Sequence, residues 1–153
     1  MSAQAVAASI VDPEIRELTI EELGILREVR EDGSGGVVVS ITPTYSGCPA
    51  MDVIRADILG ALHRAGFSGA VVRTVLEPAW STDMISEAGR AKLAAAGIAP
   101  PGPAGPVTLA LPPACPRCGS RRTEQLSRFG ATACKALWRC RVCREPFEGV
   151  KPL

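Results

Sequence analysis

Of the six cysteines in this sequence, five fall after position 114. Four of them form two CxxC pairs, Cys115-Pro116-Arg117-Cys118 and Cys140-Arg141-Val142-Cys143, with 21 residues between the pairs. A CxxC pair in a tight turn aims two sulfurs at one point. Two such turns supply four thiolates, which is the closed tetrahedral set of a structural zinc ion. Gly119 follows the first pair, where a left-handed residue is often needed. The stretch between the pairs can form a hairpin, so the pattern predicts a β zinc ribbon. Iron, alone or in a cluster, is the alternative, because thiolates also suit iron. A redox CxxC is a rival for either pair taken alone. Four thiolates around one Zn²⁺ leave excess negative charge, which Arg117, Arg139, Arg141 and Arg144 can offset.

Cys134 is the fifth cysteine of the same stretch. It is expected as a small buried residue on a ribbon strand, or else as a spare thiol near the metal. Phe129 and Trp138 are expected in the ribbon core. Residues 115–153 carry 9 Lys/Arg against 3 Asp/Glu, whereas residues 1–114 carry 8 against 13. An acidic body is therefore joined to a basic tail. The basic residues contact nucleic acid, dock an acidic protein or form a solvated face.

The sixth cysteine, Cys48, stands alone in Thr42-Pro43-Thr44-Tyr45-Ser46-Gly47-Cys48-Pro49. Pro49 at a first helical position makes Cys48 the expected cap. A thiol at a helix N-terminus meets free backbone N–H groups, which favour the thiolate. Such a group can bind iron, pass a cluster or attack an electrophile. An inert thiol in a tight turn is the competing reading. Asp12 and Glu14 are secondary candidates, as a carboxylate pair or simply as residues that shape a turn. His63 lies off the apolar face of its helix and is expected to be exposed. A Ser/His/Asp set, a Gly-rich phosphate loop and a carboxylate dyad are all missing from the sequence, so the chain reads as a non-enzyme.

The elements that position these residues follow from periodicity. Residues 2–11 read as a short helix stopped by Asp12-Pro13. Thr19-Ile20-Glu21-Glu22 has capping-box spacing with Gly24 as a stop. Residues 25–31 and 36–42 read as strands joined at Asp32-Gly33-Ser34-Gly35. A helix runs from Pro49 to about Ala65, with Ile54, Ile58, Leu59 and Leu62 on its core face. Residues 70–76 form a third strand, parallel through a right-handed crossover. Ser86 caps a helix over 87–96. Prolines and glycines crowd residues 98–114 and predict a linker, with a short strand from Val107 to Leu111 inside it. The expected fold is α+β: an α/β domain with a three-stranded mixed sheet over 1–97, a linker over 98–114, and a four-cysteine zinc ribbon over 115–153. No apolar run spans a bilayer and no signal peptide is seen, so a cytoplasmic protein without membrane contact is expected.

Four segments carry a family resemblance: Asp12-Pro13-Glu14-Ile15, Thr42 to Pro49, Pro78-Ala79-Trp80-Ser81-Thr82-Asp83 with Gly89-Arg90, and the ribbon with its Phe129-Gly130-Ala131-Thr132-Ala133-Cys134-Lys135 run. Together they resemble the D-subunit family of phenylacetyl-CoA epoxidase systems, and the first module alone resembles iron–sulfur assembly factors of the SufT type. The resemblance implies an accessory or maturation protein in aerobic phenylacetate breakdown. Its partners would be the di-iron oxygenase and the reductase, which carries a 2Fe–2S centre and flavin. It implies that Cys48 is the reactive position, handling transient iron or an Fe–S cluster, beside a structural zinc. A nucleic-acid-binding regulator and a pure scaffold are the rival functions.

Overall fold

The β-branched run Val37-Val38-Val39 becomes the centre of the middle strand of a three-stranded sheet. The computed structural model describes residues 1–104 and 111–152. These divide into one unit of Met1–Trp80 with Met84–Ser86, and a second of Ser81–Asp83 with Glu87–Leu153. The strand expected from Val107 to Leu111 lies outside the described residues but for its last position.

In the first unit, β1 (Leu26–Glu31) pairs antiparallel with β2 (Gly36–Ile41), and β2 pairs parallel with β3 (Gly69–Thr74). The mixed order β1-β2-β3 is the expected one. The hairpin turn is fixed by Asp32, whose Oδ1 accepts from the Ser34 hydroxyl at 2.6 Å and from the Gly36 and Ser34 N–H groups at 2.8 and 3.0 Å. Those bonds, the Ser34 hydroxyl foremost, hold its carboxyl below the usual range. Alternate residues Val37, Val39 and Ile41 are fully buried, the period-2 pattern of a strand with one core face.

The helix α2 (Ala50–Arg64) supplies the crossover and buries Ala50, Ile54, Ile58 and Leu62, one per turn. It packs on β3 and on α1 (Ala3–Ala8). The first helix is shorter than its apolar composition suggests. Ser9 turns its hydroxyl back to the Val6 carbonyl, and Ile10 and Val11 leave in extended form to meet Ile20 and Thr19. The capping box forms reciprocally: Glu22 accepts the Thr19 N–H at 3.0 Å, and Thr19 Oγ1 accepts the Glu22 N–H at 3.2 Å. Gly24 follows with φ +80°, and a Cβ there would run into Met84. Trp80 closes this unit by donating its Nε1–H to the Leu23 carbonyl at 2.9 Å.

The second unit begins with α3 (Glu87–Ala95) and β4 (Ile98–Ala99). Arg90 on α3 holds two carbonyls, those of Pro101 at 2.7 Å and Thr82 at 2.8 Å. Three further strands follow, β5 (Thr123–Ser127), β6 (Lys135–Cys140) and β7 (Pro146–Val150), in the order β4-β7-β6-β5. Ile98 and Ala99, read from sequence as the start of a linker, pair in parallel with Glu148 and Gly149. Only two residues long, that strand has no periodicity of its own to announce it. Among the described residues, no helix is long and apolar enough to cross a membrane.

Candidate metal centre and the loop before the long helix

Each CxxC pair of the ribbon is built by the same backbone device. The Cys115 N–H donates to the Ser120 carbonyl at 2.8 Å, and the Cys140 N–H donates to the Glu145 carbonyl at 3.0 Å, each five residues on. The residue after the second cysteine is left-handed in both: Gly119 at φ +74° and Arg144 at φ +64°. The glycine was legible in the sequence; an arginine in that role was not, because arginine carries no turn signal. One turn leads from the end of β6, which pins Cys140. The other is tied to β5 through Thr123, whose hydroxyl donates to the Pro113 carbonyl at 2.8 Å.

Together the two turns bring four sulfurs within 4.8 Å of one another. Cys115 and Cys143 Sγ atoms are 3.7 Å apart, and those of Cys118 and Cys140 are 3.5 Å apart. A tetrahedron with metal–sulfur bonds of about 2.3 Å has edges of about 3.8 Å, so the donor set fits one tetrathiolate ion. Cys115 and Cys140 are buried and Cys118 and Cys143 are exposed. The Cys143 N–H holds the Cys140 thiol down to about 6, helped against burial by the Val142 N–H and by the Cys118 and Cys143 thiols. For Cys143 the Glu145 N–H pulls down, but desolvation and the hydrogen bonds shared with Cys115, Cys140 and Cys118 outweigh it and push the thiol up to about 12. Four thiols this close cannot all ionise unless a cation sits between them.

Two of the four arginines expected to offset the thiolates are otherwise engaged. Glu124 on β5 accepts from Arg139 Nε at 2.9 Å and Arg141 Nη2 at 2.9 Å, and Arg139, then Arg141, hold its carboxyl below the usual range. Trp138 does pack on the small ribbon core of Ala99, Cys115, Cys140 and Phe147. Phe129 does not. It is 67% exposed, with Lys151 Nζ 4.3 Å from its ring centroid. Cys134 lies in the turn before β6 rather than on a strand, half-buried, its Sγ 3.0 Å from Thr132 Oγ1.

In the first unit, Cys48 ends the loop that leads from β2 to α2 and is half-buried. The helix cap falls one residue later than expected, on Pro49, and no side chain caps the helix. Proline has fixed φ but lacks a side-chain acceptor, so the first N–H groups of α2 receive no capping side chain. At the start of the same loop the Thr42 hydroxyl is buried without a hydrogen-bond partner. Asp12 is 3% exposed, and its Oδ1 accepts the N–H groups of Glu14 at 2.9 Å and Ile15 at 2.6 Å. That is the turn-shaping role a short acidic side chain commonly takes. Glu14 is half-buried and His63 is exposed. Cys48, Asp12 and Glu14 do not converge on a shared point; among the described residues the ribbon cysteines are the one such group.

Comparison with known proteins follows the division into two units. A family described as "PaaD zinc beta ribbon domain" matches residues 101–151, and one described as "Iron-sulfur cluster assembly protein" matches residues 4–76. The chain is 47% identical over 150 residues to an Escherichia coli protein named as the D subunit of 1,2-phenylacetyl-CoA epoxidase, covering 96% of this chain and 89% of that one. A protein of Porphyromonas gingivalis named "Fe-S protein maturation auxiliary factor" is 34% identical over 80 residues, 52% of this chain and 75% of its own. Among solved structures, a domain of unknown function from Bacillus anthracis matches with a TM-score of 0.55 at 27% identity, covering 60% of this chain and 87% of that one.

Proposed function

We propose that this chain, which belongs to the D-subunit family of 1,2-phenylacetyl-CoA epoxidases, is an accessory protein that helps equip that multicomponent oxygenase with iron or an iron–sulfur cluster and is not itself the catalyst. The observation that carries this reading is the pairing of modules in one chain. The first unit matches iron–sulfur cluster assembly proteins, and the resemblance to the D-subunit family runs through both units.

Within that reading the two cysteine sites have different tasks. Cys115, Cys118, Cys140 and Cys143 would hold one zinc ion. A tetrathiolate zinc supplies a closed cross-link rather than reaction chemistry, because no coordination position stays open. Iron or a cluster is cargo, and Cys48 is the group of the first unit suited to hold it: a half-buried thiol at the carboxyl end of a parallel strand, immediately before the N-terminus of a 15-residue helix. Ligands of open α/β sheets gather at that end of the strands. The acidic side chain of Asp12 is committed to its own turn and serves the fold there. The epoxidase oxygenase and reductase are the clients, and the protein works in the cytoplasm, where free thiols persist.

The test is metal analysis of anaerobically purified wild type beside Cys48→Ala, with both expressed in cells lacking the native protein. The expected result is an oxygenase or reductase short of iron, and little epoxidase activity, in the Cys48→Ala cells. Full growth on phenylacetate with that variant would leave Cys48 as a turn residue and a scaffold role as the better reading.

A further inference from the structure

We propose that the loop between β5 and β6 is a preformed docking tip, with Phe129 as an anchor that enters an apolar pocket rimmed by carboxylates on a client protein. A single exposed apolar side chain is ordinary on a protein surface. What sets Phe129 apart is how firmly its loop is held while the ring stays 67% exposed.

The holding groups come from both ends of the module. Glu148 on β7 accepts the Ala131 N–H at 2.7 Å through one oxygen, and through the other it pairs with Lys135 Nζ at 3.7 Å. The Lys135 side chain is only 8% exposed, so the loop is moored to a nearly buried ion pair. Desolvating such a pair is costly, and closing a β-hairpin does not require one. The Gly130 N–H donates to the Lys135 carbonyl at 2.7 Å, and a Cβ at Gly130 would run into the Glu148 carboxylate. Phe129 itself donates its N–H to Ser127 Oγ at 3.2 Å. Lys151 reaches the Ala133 carbonyl at 2.9 Å and lies over the Phe129 ring. The loop is thus ordered before any partner arrives, which removes much of the ordering cost that binding would otherwise carry. Aromatic anchors of this kind dominate interface energies.

Charge selects the partner. Arg128 precedes the ring, Lys151 covers one of its faces, and residues 115–153 hold 9 Lys/Arg against 3 Asp/Glu. The complementary surface is acidic. A nucleic acid is the poorer match: strand binders stack successive bases on several aromatic platforms, whereas this tip offers one ring with one face already under an ammonium group.

This inference rests on reading the chain as an epoxidase accessory, which decides the proteins to try. Full-length, zinc-loaded protein is immobilised and exposed to the purified oxygenase and reductase subunits of the same epoxidase. Wild type is expected to bind at least one of them. Phe129→Ala should weaken that binding about 30-fold or more, the scale of an interface hot spot. Phe129→Tyr should retain most of it, and Arg128→Ala should slow association and flatten its salt dependence. Zinc content and melting temperature should stay at wild-type values in all three, since neither side chain belongs to the ribbon core. Binding that Phe129→Ala leaves unchanged overturns the anchor alone. No binding by wild type overturns the epoxidase reading and this partner with it. Oligothymidine binding that depends on Phe129, with no subunit binding that does, overturns the protein partner in favour of a nucleic acid.

Discussion

The two units of this chain are stabilised by different means, and the difference decides what each can spare. The first buries Leu18, Ile20, Ile25, Val37, Val39, Ile41, Ile54, Ile58 and Leu62 almost completely. Each such side chain contributes about 1.5–3 kcal/mol by leaving water. The ribbon core is Ala99, Cys115, Cys140 and Phe147, with Trp138 against it. Half of those buried residues are candidate ligands. A module this small and this poor in apolar side chains draws its folding free energy from coordination. The first unit therefore has a thiol free for chemistry, and the ribbon has none among its four.

The largest effect should come from the ribbon's cysteines. Cys118→Ser or Cys143→Ser should lose the metal and unfold the ribbon while the first unit keeps its structure, because structural zinc contributes on the order of 10–16 kcal/mol to such modules. Zinc analysis together with hydrogen exchange over residues 115–153 checks this. One zinc retained per chain by both variants would sink the assignment. The complementary change is Ile58→Ala in the first unit. It should cost about 2–5 kcal/mol by opening a cavity under α2, and zinc content should not move. Zinc loss in that variant would mean that the two units do not stand independently.

Most of the first unit was legible because its signals are local. The helix expected from Pro49 to about Ala65 is Ala50–Arg64, and the strands lie within a residue or two of their expected ends. Periodicity in Ile54, Ile58 and Leu62 and the capping box at Thr19 need no distant partner to be read. What escaped depends on contacts far along the chain. Ile98 and Ala99 become a strand only because β7 lies beside them. Phe129 reads as core by composition, yet the Glu148 and Lys135 pairing sets its loop with the ring outside. The convergence of the four sulfurs was legible from spacing alone, whereas the engagement of Arg139 and Arg141 by Glu124 was not, since it arises from the register of β5 against β6.

A smaller effect should separate the two halves of the metal centre. Gly119 and Arg144 occupy equivalent left-handed positions, but only glycine does so without strain. Arg144→Gly should stabilise the zinc-loaded ribbon by about 1 kcal/mol, read as a higher chelator concentration at half-unfolding. Gly119→Arg should destabilise it by a similar amount. An Arg144→Gly ribbon that unfolds more readily would show that the guanidinium, lining the same cleft as Glu124 and Cys140, supports the metal centre by more than its backbone.

The smallest effect on stability should come from Cys48→Ala, and there the contrast between the two units becomes sharpest. Cys48 is half-buried in a loop, takes no part in the apolar core and does not cap α2. Alanine removes one sulfur and adds no bulk, so the melting temperature of the first unit should hardly change. Reactivity should change completely. In native zinc-loaded protein the four ribbon thiolates are shielded by the metal, even though Cys118 and Cys143 are exposed as residues, and Cys134 is engaged with Thr132 in a tight turn. Sub-stoichiometric alkylation followed by peptide mapping should therefore label Cys48 first. Adding a chelator should bring Cys118 and Cys143 into the labelled set as the ribbon opens, while Cys48 labelling continues at its earlier rate. If Cys134 is labelled ahead of Cys48, the thiol available for chemistry lies in the ribbon, and the division of labour between the units is reversed. If Cys48→Ala lowers the melting temperature as far as Ile58→Ala does, its sulfur is a packing group, and the first unit has no thiol free for iron.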